Sequence, residues 1–167
     1  MAHWSLKEQL QPSLLDRLTD DKPENSQEAA SKQVIGEKQF KNAVIRDLGW
    51  LMNCVSMDVC EDLDEYPEVK TSVLNFGMPD LTGKTSSNLD VRELETEMRE
   101  AILSYEPRIL RKTLRVRVRT NYSAMSHNSV VFDIQGSVFG QPAPFQVILR
   151  SQLDLESGEF NVRDHLR

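Results

Sequence analysis

The apolar residues between Leu89 and Tyr105 recur at steps of three and four, which is the spacing of one face of an α-helix. Ser87–Asp90 form a capping-box-like start, and acidic side chains follow at the positive end of the helix dipole. Pro107 predicts the end of the helix, because the residue before a proline is displaced from helical backbone angles. We therefore expect a helix over about 88–105 that ends in a sharp bend.

After this bend the period of the apolar residues changes to two. Apolar and cationic side chains alternate over Leu114, Arg115, Val116, Arg117, Val118 and Arg119. This alternation predicts a strand with one apolar face and one cationic face. Alternating segments over 130–138, over 145–153 and from 160 onwards predict three more strands, separated by turn-rich connections.

A second amphipathic helix is predicted over about Gly36 to Met57. Its apolar stripe consists of Phe40, Val44, Leu48, Leu51 and Val55. Ile45, Trp50 and Met52 broaden this stripe, which suggests contact with more than one element or with a partner. Gly49 lies in the middle of the helix, where glycine costs about 1 kcal/mol relative to alanine and suggests close packing against another element.

The fold class follows from the order of these patterns. Residues 72–83 combine turn-forming residues with large apolar side chains, so we expect an ordered loop laid against the core. Helical patterns come first along the chain and alternating patterns come last. This order predicts an α+β fold, in which N-terminal helices pack on one face of a C-terminal antiparallel four-stranded meander sheet.

The N-terminal region divides into two parts. Residues 1–18 contain an apolar patch, and Pro12 is expected to open a short helical turn within it. The apolar side chains of this turn are Leu14, Leu15 and Leu18. Residues 19–33 carry no large aliphatic or aromatic side chain and are typical of a flexible linker. The patch either folds back onto its own domain, over 34–167, or docks on another protein, and the length of the linker favours docking.

The composition narrows the possible functions. A formal net charge of −6 over 167 residues argues against a general nucleic-acid binder. Cys54 and Cys60 are too few for a disulfide framework or a zinc site, and we expect buried or half-buried thiols in a reducing compartment. No apolar run approaches the ~20 residues that span a membrane, and the first residues lack the apolar core of a signal peptide. The expected location is the cytoplasm, without direct membrane insertion.

The sequence predicts no catalytic, metal-binding or cofactor-binding residue. None of the three histidines belongs to a nucleophile motif or to a pair with metal-ligand spacing. Residues 58–68 hold six acidic side chains without the pattern of a cation-binding loop. Glu106 is the one carboxylate considered as a general acid, but Arg108 two residues later favours its ionised form.

The cationic face of the first strand has three possible interpretations: a solvated surface, a nucleic-acid platform, or a docking surface for an acidic protein. The segment from Arg108 to Arg119 contains no aromatic residue, which disfavours base stacking and nucleic acid. Arg108, Arg111 and Lys112 extend the basic residues towards the helix end. This extension favours docking of an acidic protein, to which arginine forks supply directional hydrogen bonds.

Four segments in order carry a resemblance to a known family. They are PSLLDRL at 12–18, IRDLGWLMN at 45–53, SVLNFGMPDLTG at 72–83 and YEPRI at 105–109. Together they resemble the TssE family of type VI secretion baseplate proteins, which is similar to a wedge protein of contractile phage tails. The resemblance covers roughly residues 10–165.

The resemblance implies a structural role: linking baseplate wedge subunits to the first ring of the contractile sheath and helping to initiate sheath assembly. The triplet Glu106, Pro107 and Arg108 would seat the chain on a helical core bundle of other baseplate subunits. An exposed strand edge would template the sheath by strand addition. The implied partners are the wedge subunits TssF, TssG and TssK and the sheath subunits TssB and TssC. The implied location is a cytoplasmic baseplate docked at the inner membrane complex.

Members of this family are often labelled lysozyme-like, so the alternative function is a peptidoglycan hydrolase that uses Glu106. We favour the structural role, because the sequence contains no convincing pair of catalytic carboxylates. The predicted partner-binding residues are Leu14, Leu15, Leu18, Glu106, Pro107, Arg108, Arg111, Arg115 and Arg117.

Overall fold

The computed structural model describes residues 10, 12–19, 23–24, 35–81, 90–120, 129–140 and 143–164. Its helices are α1 (Leu14–Leu18), α2 (Glu37–Met52), α3 (Pro67–Lys70) and α4 (Val91–Tyr105). Its strands are β1 (Arg115–Thr120), β2 (Ser129–Val138), β3 (Phe145–Asp154) and β4 (Phe160–Asp164). Short 3-10 helices at Met57–Val59 and Val73–Asn75 lie between α2 and α4. The predicted α+β order, helices first and sheet last, is confirmed.

The strands form one antiparallel sheet in the order β1-β2-β3-β4, so the predicted meander is confirmed. Val116 lies opposite Ile134, and Ile134 lies opposite Leu149. Because side chains alternate between the two faces of a strand, these apolar residues share one face of the sheet. The arginines of β1 lie on the other face.

Helices α2 and α4 cover the apolar face of the sheet, with α2 against β4 and α4 against β1. The buried stripe residues of the two helices are Phe40, Val44, Leu48, Leu51, Leu94, Met98 and Ile102. Full burial of one such large side chain contributes about 1.5–3 kcal/mol, so this layer stabilises the domain.

Helix α4 begins and ends for local reasons. The Asp90 carboxylate accepts hydrogen bonds from the backbone N–H groups of Arg92 at 2.8 Å and Glu93 at 3.2 Å, which caps the helix. The helix ends at Tyr105, two residues before Pro107, as the sequence predicts.

Helix α2 is shorter than predicted, because it ends at Met52 and not near Met57. The Asn53 side chain binds the backbone of Phe160 in β4: it donates to the carbonyl at 3.0 Å and accepts from the N–H at 2.9 Å. The chain then turns away from the helix axis, and Val55 is exposed and does not belong to the buried stripe.

Two further predictions about this region are wrong. A Cβ atom on Gly49 would meet nothing within 4 Å, so this glycine does not mark close packing. Cys54 and Cys60 are exposed free thiols and are not buried or half-buried. The helix that would shelter them ends at Met52, before both cysteines.

The segment before α4 is an ordered loop over the described residues 72–81, as predicted. Gly77 has a φ of +149°, and a Cβ atom there would lie 2.6 Å from the carbonyl oxygen of Cys54. Two backbone hydrogen bonds fix the loop: Met78 N–H donates to Cys54 at 2.8 Å, and Ser56 N–H donates to Met78 at 3.0 Å. The glycine is therefore required for a close backbone approach.

Some predictions fall outside the described residues. These are the start of α4 at 87–89, residues 1–9 of the predicted docking segment and most of the predicted linker over 19–33. The division of the chain into docking segment, linker and domain therefore stays a prediction. In the part of the chain that the structure describes, no helix is long and apolar enough to cross a membrane.

Candidate partner-binding site

The bend after α4 is closed by an ion pair between Glu106 and Arg108. Nε of Arg108 donates to Oε1 of Glu106 at 2.6 Å, and Nη2 contacts Oε2. The backbone N–H of Arg108 also donates to Oε1 at 3.1 Å. Glu106 is only 3% exposed, so its carboxylate is satisfied inside the protein and shapes the bend around Pro107.

This ion pair is one end of a longer network of alternating charges. Nη2 of Arg108 contacts Oδ2 of Asp47 at 2.6 Å, and the other Asp47 oxygen accepts from Nε and Nη2 of Arg46 at 2.9 and 2.7 Å. Nη1 of Arg46 pairs in turn with Asp16 of α1. The network Glu106–Arg108–Asp47–Arg46–Asp16 therefore joins the bend, α2 and α1.

The surroundings favour the charged forms of these groups. Burial alone would lower the pKa of Arg108, but hydrogen bonds and charges from Glu106 and Asp47 outweigh it and raise that pKa. The hydrogen bond from Arg46 is the largest of the effects that lower the pKa of Asp16, against the opposing effect of burial. The same hydrogen bond raises the pKa of Arg46.

An apolar cleft of about 430 Å³ lies beside the network, between α1, α2 and the bend. Its lining includes Leu15, Trp50, Phe76, Tyr105, Pro107 and the Asp47–Arg108 pair. Trp50 is 48% exposed, and the Arg46 guanidinium lies 4.8 Å from the centroid of its ring. We call this surface the corner cleft: apolar walls with a fixed ion pair among them.

The predicted apolar turn is present as α1. The side chain of its N-cap residue, Ser13, accepts a hydrogen bond from the backbone N–H of Asp16. Asp16 attaches the helix to its own domain through Arg46. Leu14 and Leu18 nevertheless stay 70% and 74% exposed, and Leu15 lines the corner cleft. The charged side of α1 thus binds the domain, and its leucines remain open to a partner.

The other predicted binding residues lie elsewhere. Arg115 and Arg117 are exposed on the face of the sheet that the helices do not cover, and Arg111 is exposed in the turn before β1. Arg108 does not extend this basic surface as the sequence predicts, because its guanidinium is turned inwards to Glu106 and Asp47. The predicted site residues therefore form two separate groups.

Glu106 is poorly arranged for acid catalysis. A glycosidase needs an accessible general acid and a second carboxylate across a cleft. Glu106 is buried and bound through both oxygens, and the nearby carboxylate of Asp47 is held by the same arginine. Among the described residues there is also no cluster of side chains that could hold a metal ion.

Sequence reasoning missed Asp16, Arg46 and Asp47 of the charge network and Phe76 of the corner cleft. The available signal was their position, since each lies in one of the segments 12–18, 45–53 and 72–83 that carry the family resemblance. The long-range pairs were not visible, because Asp16 lies 30 residues from Arg46 and Asp47 lies 61 residues from Arg108.

A comparison with protein families places these elements in one known group. The model of the family "Baseplate wedge protein gp25" matches residues 38–143, well over half of the chain. The matched region contains nearly all of α2, the bend with its ion pair, and strands β1 and β2. Comparisons with curated proteins and with solved structures gave no match.

Proposed function

Because the chain belongs to the baseplate wedge protein gp25 family, we propose that it works as a wedge component of a type VI secretion baseplate. Membership in this family makes it a structural protein of a phage-tail-like baseplate. The finer proposal is that it links wedge subunits such as TssF, TssG and TssK to the first sheath ring of TssB and TssC. Its location would be a cytoplasmic baseplate at the inner membrane complex.

The observation that carries the proposal is the corner cleft. Its walls are apolar and exposed, whereas its base holds an ion pair fixed by buried contacts. An amphipathic helix binds such a groove through apolar anchors, and a fixed charge pair restricts its register. We therefore propose that helices of the wedge subunits are seated here, with Pro107 and the leucines of α1 in contact.

Glu106 and Arg108 have different parts in this proposal. Glu106 is buried and acts by positioning Arg108, while the Arg108 side chain is still partly exposed and reaches the cleft. Removal of a hydrogen-bonded charged partner at a binding surface costs about 2–5 kcal/mol. Within the triplet, Glu106 therefore positions Arg108 and does not itself contact the partner.

The experiment is co-purification of the full chain with TssF and TssG. Trp50→Ala and Leu15→Ala remove apolar walls of the cleft and leave every charged side chain of the network in place, and we expect each to reduce the retained wedge subunits at least tenfold. Val59→Ala removes an exposed apolar side chain that does not line the cleft, and it should retain them fully. Retention at the unaltered level by both cleft variants would contradict the proposal.

Sheath assembly is proposed to use the outer edge of β4 beyond Phe160. On β1, the N–H of Val118 already donates to Glu95 of α4 at 2.9 Å, which restricts that edge. On β4, Asn53 binds the N–H and carbonyl of Phe160, which shows that these groups point away from β3. The same groups of Val162, two residues later, point the same way and suit an added strand.

A proline substitution tests this edge. Val162→Pro removes an outward N–H and leaves the β3 side of the strand paired, a position that edge strands tolerate. We expect loss of sheath polymerisation on isolated baseplates, whereas Val162→Thr, which keeps the N–H, should support it. Normal sheath growth from Val162→Pro baseplates would exclude strand addition at β4.

A further inference from the structure

The outer face of the sheet carries a row of charged residues that spans all four strands. Arg117 of β1 lies opposite Asp133 of β2, Asp133 lies opposite Arg150 of β3, and Arg150 lies opposite Arg163 of β4. Neighbouring strands are about 4.8 Å apart, so these side chains are close neighbours on one surface.

A single carboxylate organises the centre of this row. Asp133 is nearly buried, with 9% of its side chain exposed, and its two oxygens bind Nε of Arg119 at 2.6 Å and Nε of Arg150 at 2.9 Å. Arg119 nevertheless keeps 69% of its side chain exposed. Asp133 therefore fixes the direction of two guanidinium groups without covering them.

The charge of this face differs from that of the whole chain. Its strand positions carry five arginines, namely Arg115, Arg117, Arg119, Arg150 and Arg163, against the carboxylates Asp133 and Asp154. The chain as a whole has a formal net charge of −6. Such a local surplus of positive charge attracts an acidic partner.

We propose that this arginine face docks an extended acidic segment of another protein. Along β1, Arg115, Arg117 and Arg119 are every second residue, so neighbouring arginines are about 7 Å apart. Every second side chain of an extended peptide has the same spacing. Carboxylates at alternate positions of the segment would each meet an arginine fork. Beside Arg115, a cleft of about 350 Å³ lined by Gln135 and Gln146 supplies amide groups for the segment's backbone.

A protein segment fits this face better than a nucleic acid. Within the described residues, the outward strand positions carry no aromatic side chain on which a base could stack. The inference deepens the proposed function, since the acidic segment would belong to another baseplate or sheath subunit, but it uses a surface separate from the corner cleft.

The test measures fluorescence anisotropy of a labelled twelve-residue peptide of alternating Glu and Thr, added to the full chain at low salt. We expect binding that weakens as salt is raised, and at least a tenfold weaker affinity for Arg115→Glu/Arg117→Glu. The control Arg92→Glu/Arg99→Glu changes the charge equally at exposed positions of α4 and should weaken binding less than threefold. Circular dichroism checks that both variants fold.

Three outcomes would overturn the inference: no peptide binding, an equal loss in the α4 control, or tighter binding of a twelve-nucleotide thymidine oligonucleotide than of the peptide. The last result would assign the face to nucleic acid. Trp50→Ala should bind the peptide normally. The inference about the arginine face and the proposal about the corner cleft can therefore fail independently. Wedge co-purification would still succeed if only the arginine face were assigned wrongly.

Discussion

The corner cleft and the arginine face contain the same types of charged side chain in different arrangements. At the corner, acids and bases alternate from Glu106 to Asp16, and each charge has a partner of opposite sign. On the outer sheet face, arginines outnumber carboxylates, and no described residue pairs with Arg115 or Arg117. The charges of the corner are therefore matched by one another, whereas the arginine face has more positive than negative charges.

This difference separates charges that shape the protein from charges that attract partners. A buried, matched ion pair gives little net stability but makes the removal of one member costly, because the other charge is left buried. An exposed, unmatched arginine can be removed with little effect on folding. Stability measurements and binding measurements should consequently respond to different substitutions.

The largest expected effect is on stability at the corner. Arg108→Ala leaves Glu106 buried and Asp47 without one of its partners, and we expect the free energy of unfolding to fall by about 3–5 kcal/mol. Arg117→Ala removes the same kind of side chain from the arginine face, and its effect should stay within about 0.5 kcal/mol. Urea denaturation followed by circular dichroism measures both.

Equal losses for these two substitutions would remove the distinction between the two regions. A small loss for Arg108→Ala alone would mean that Glu106 becomes hydrated once its partner is gone. In that case the bend would be open to solvent, and the positioning role of Glu106 would be wrong.

The second prediction concerns the loop on which the bend rests. Phe76 packs edge-on against Tyr105 at 5.2 Å between ring centroids, and the Tyr105 hydroxyl donates to the carbonyl of Asn75 at 2.7 Å. Gly77→Ala would place a Cβ atom 2.6 Å from backbone atoms at Cys54 and disturb this support. We expect a loss of more than about 1 kcal/mol in the free energy of unfolding, together with weaker wedge binding. An unchanged midpoint in urea would show that the loop relaxes freely.

The fold was largely predictable because its signals are local. Helical spacing before Tyr105, the proline after it and the alternation in β1 each depend on neighbouring residues. The end of α2 was not predictable, because it depends on Asn53 binding Phe160, which lies over a hundred residues further along the chain. Both cysteines come after this helix end and are exposed.

The candidate site was predictable only in part, for the same reason. Glu106 and Arg108 lie two residues apart, so their ion pair is visible in the sequence. Asp47 could have paired with many basic residues, and only the packing of α2 against the bend selects Arg108. The contribution of Arg150 and Arg163 to the arginine face depends on strand register, which the alternation alone does not fix.

The third prediction tests the open space beside Gly49 with a substitution that is expected to stabilise the protein. Gly49 lies in α2 between Asp47 and Trp50, and a Cβ atom there would meet nothing within 4 Å apart from its chain neighbours and the nearby helix backbone. Gly49→Ala should raise the free energy of unfolding by up to about 1 kcal/mol through helix propensity, with wedge binding unchanged. If stability rises but wedge binding falls, the partner helix approaches α2 at this position. A loss of stability would contradict the open space around the glycine.

The smallest expected effect is on the stability that Asp16 contributes by attaching α1 to the domain. Because its pKa is lower in the folded protein than its ordinary value of 3.8, the pair with Arg46 stabilises the fold at pH values above about 4. This contribution is lost as the pH falls through the lowered pKa, and for such a solvent-screened pair it should not exceed about 1 kcal/mol. The difference in unfolding free energy between the unaltered chain and Asp16→Asn should therefore be present at pH 6 and decrease steadily as the pH falls below about 4. A difference that does not decrease over this range would assign the attachment of α1 to contacts other than this ion pair.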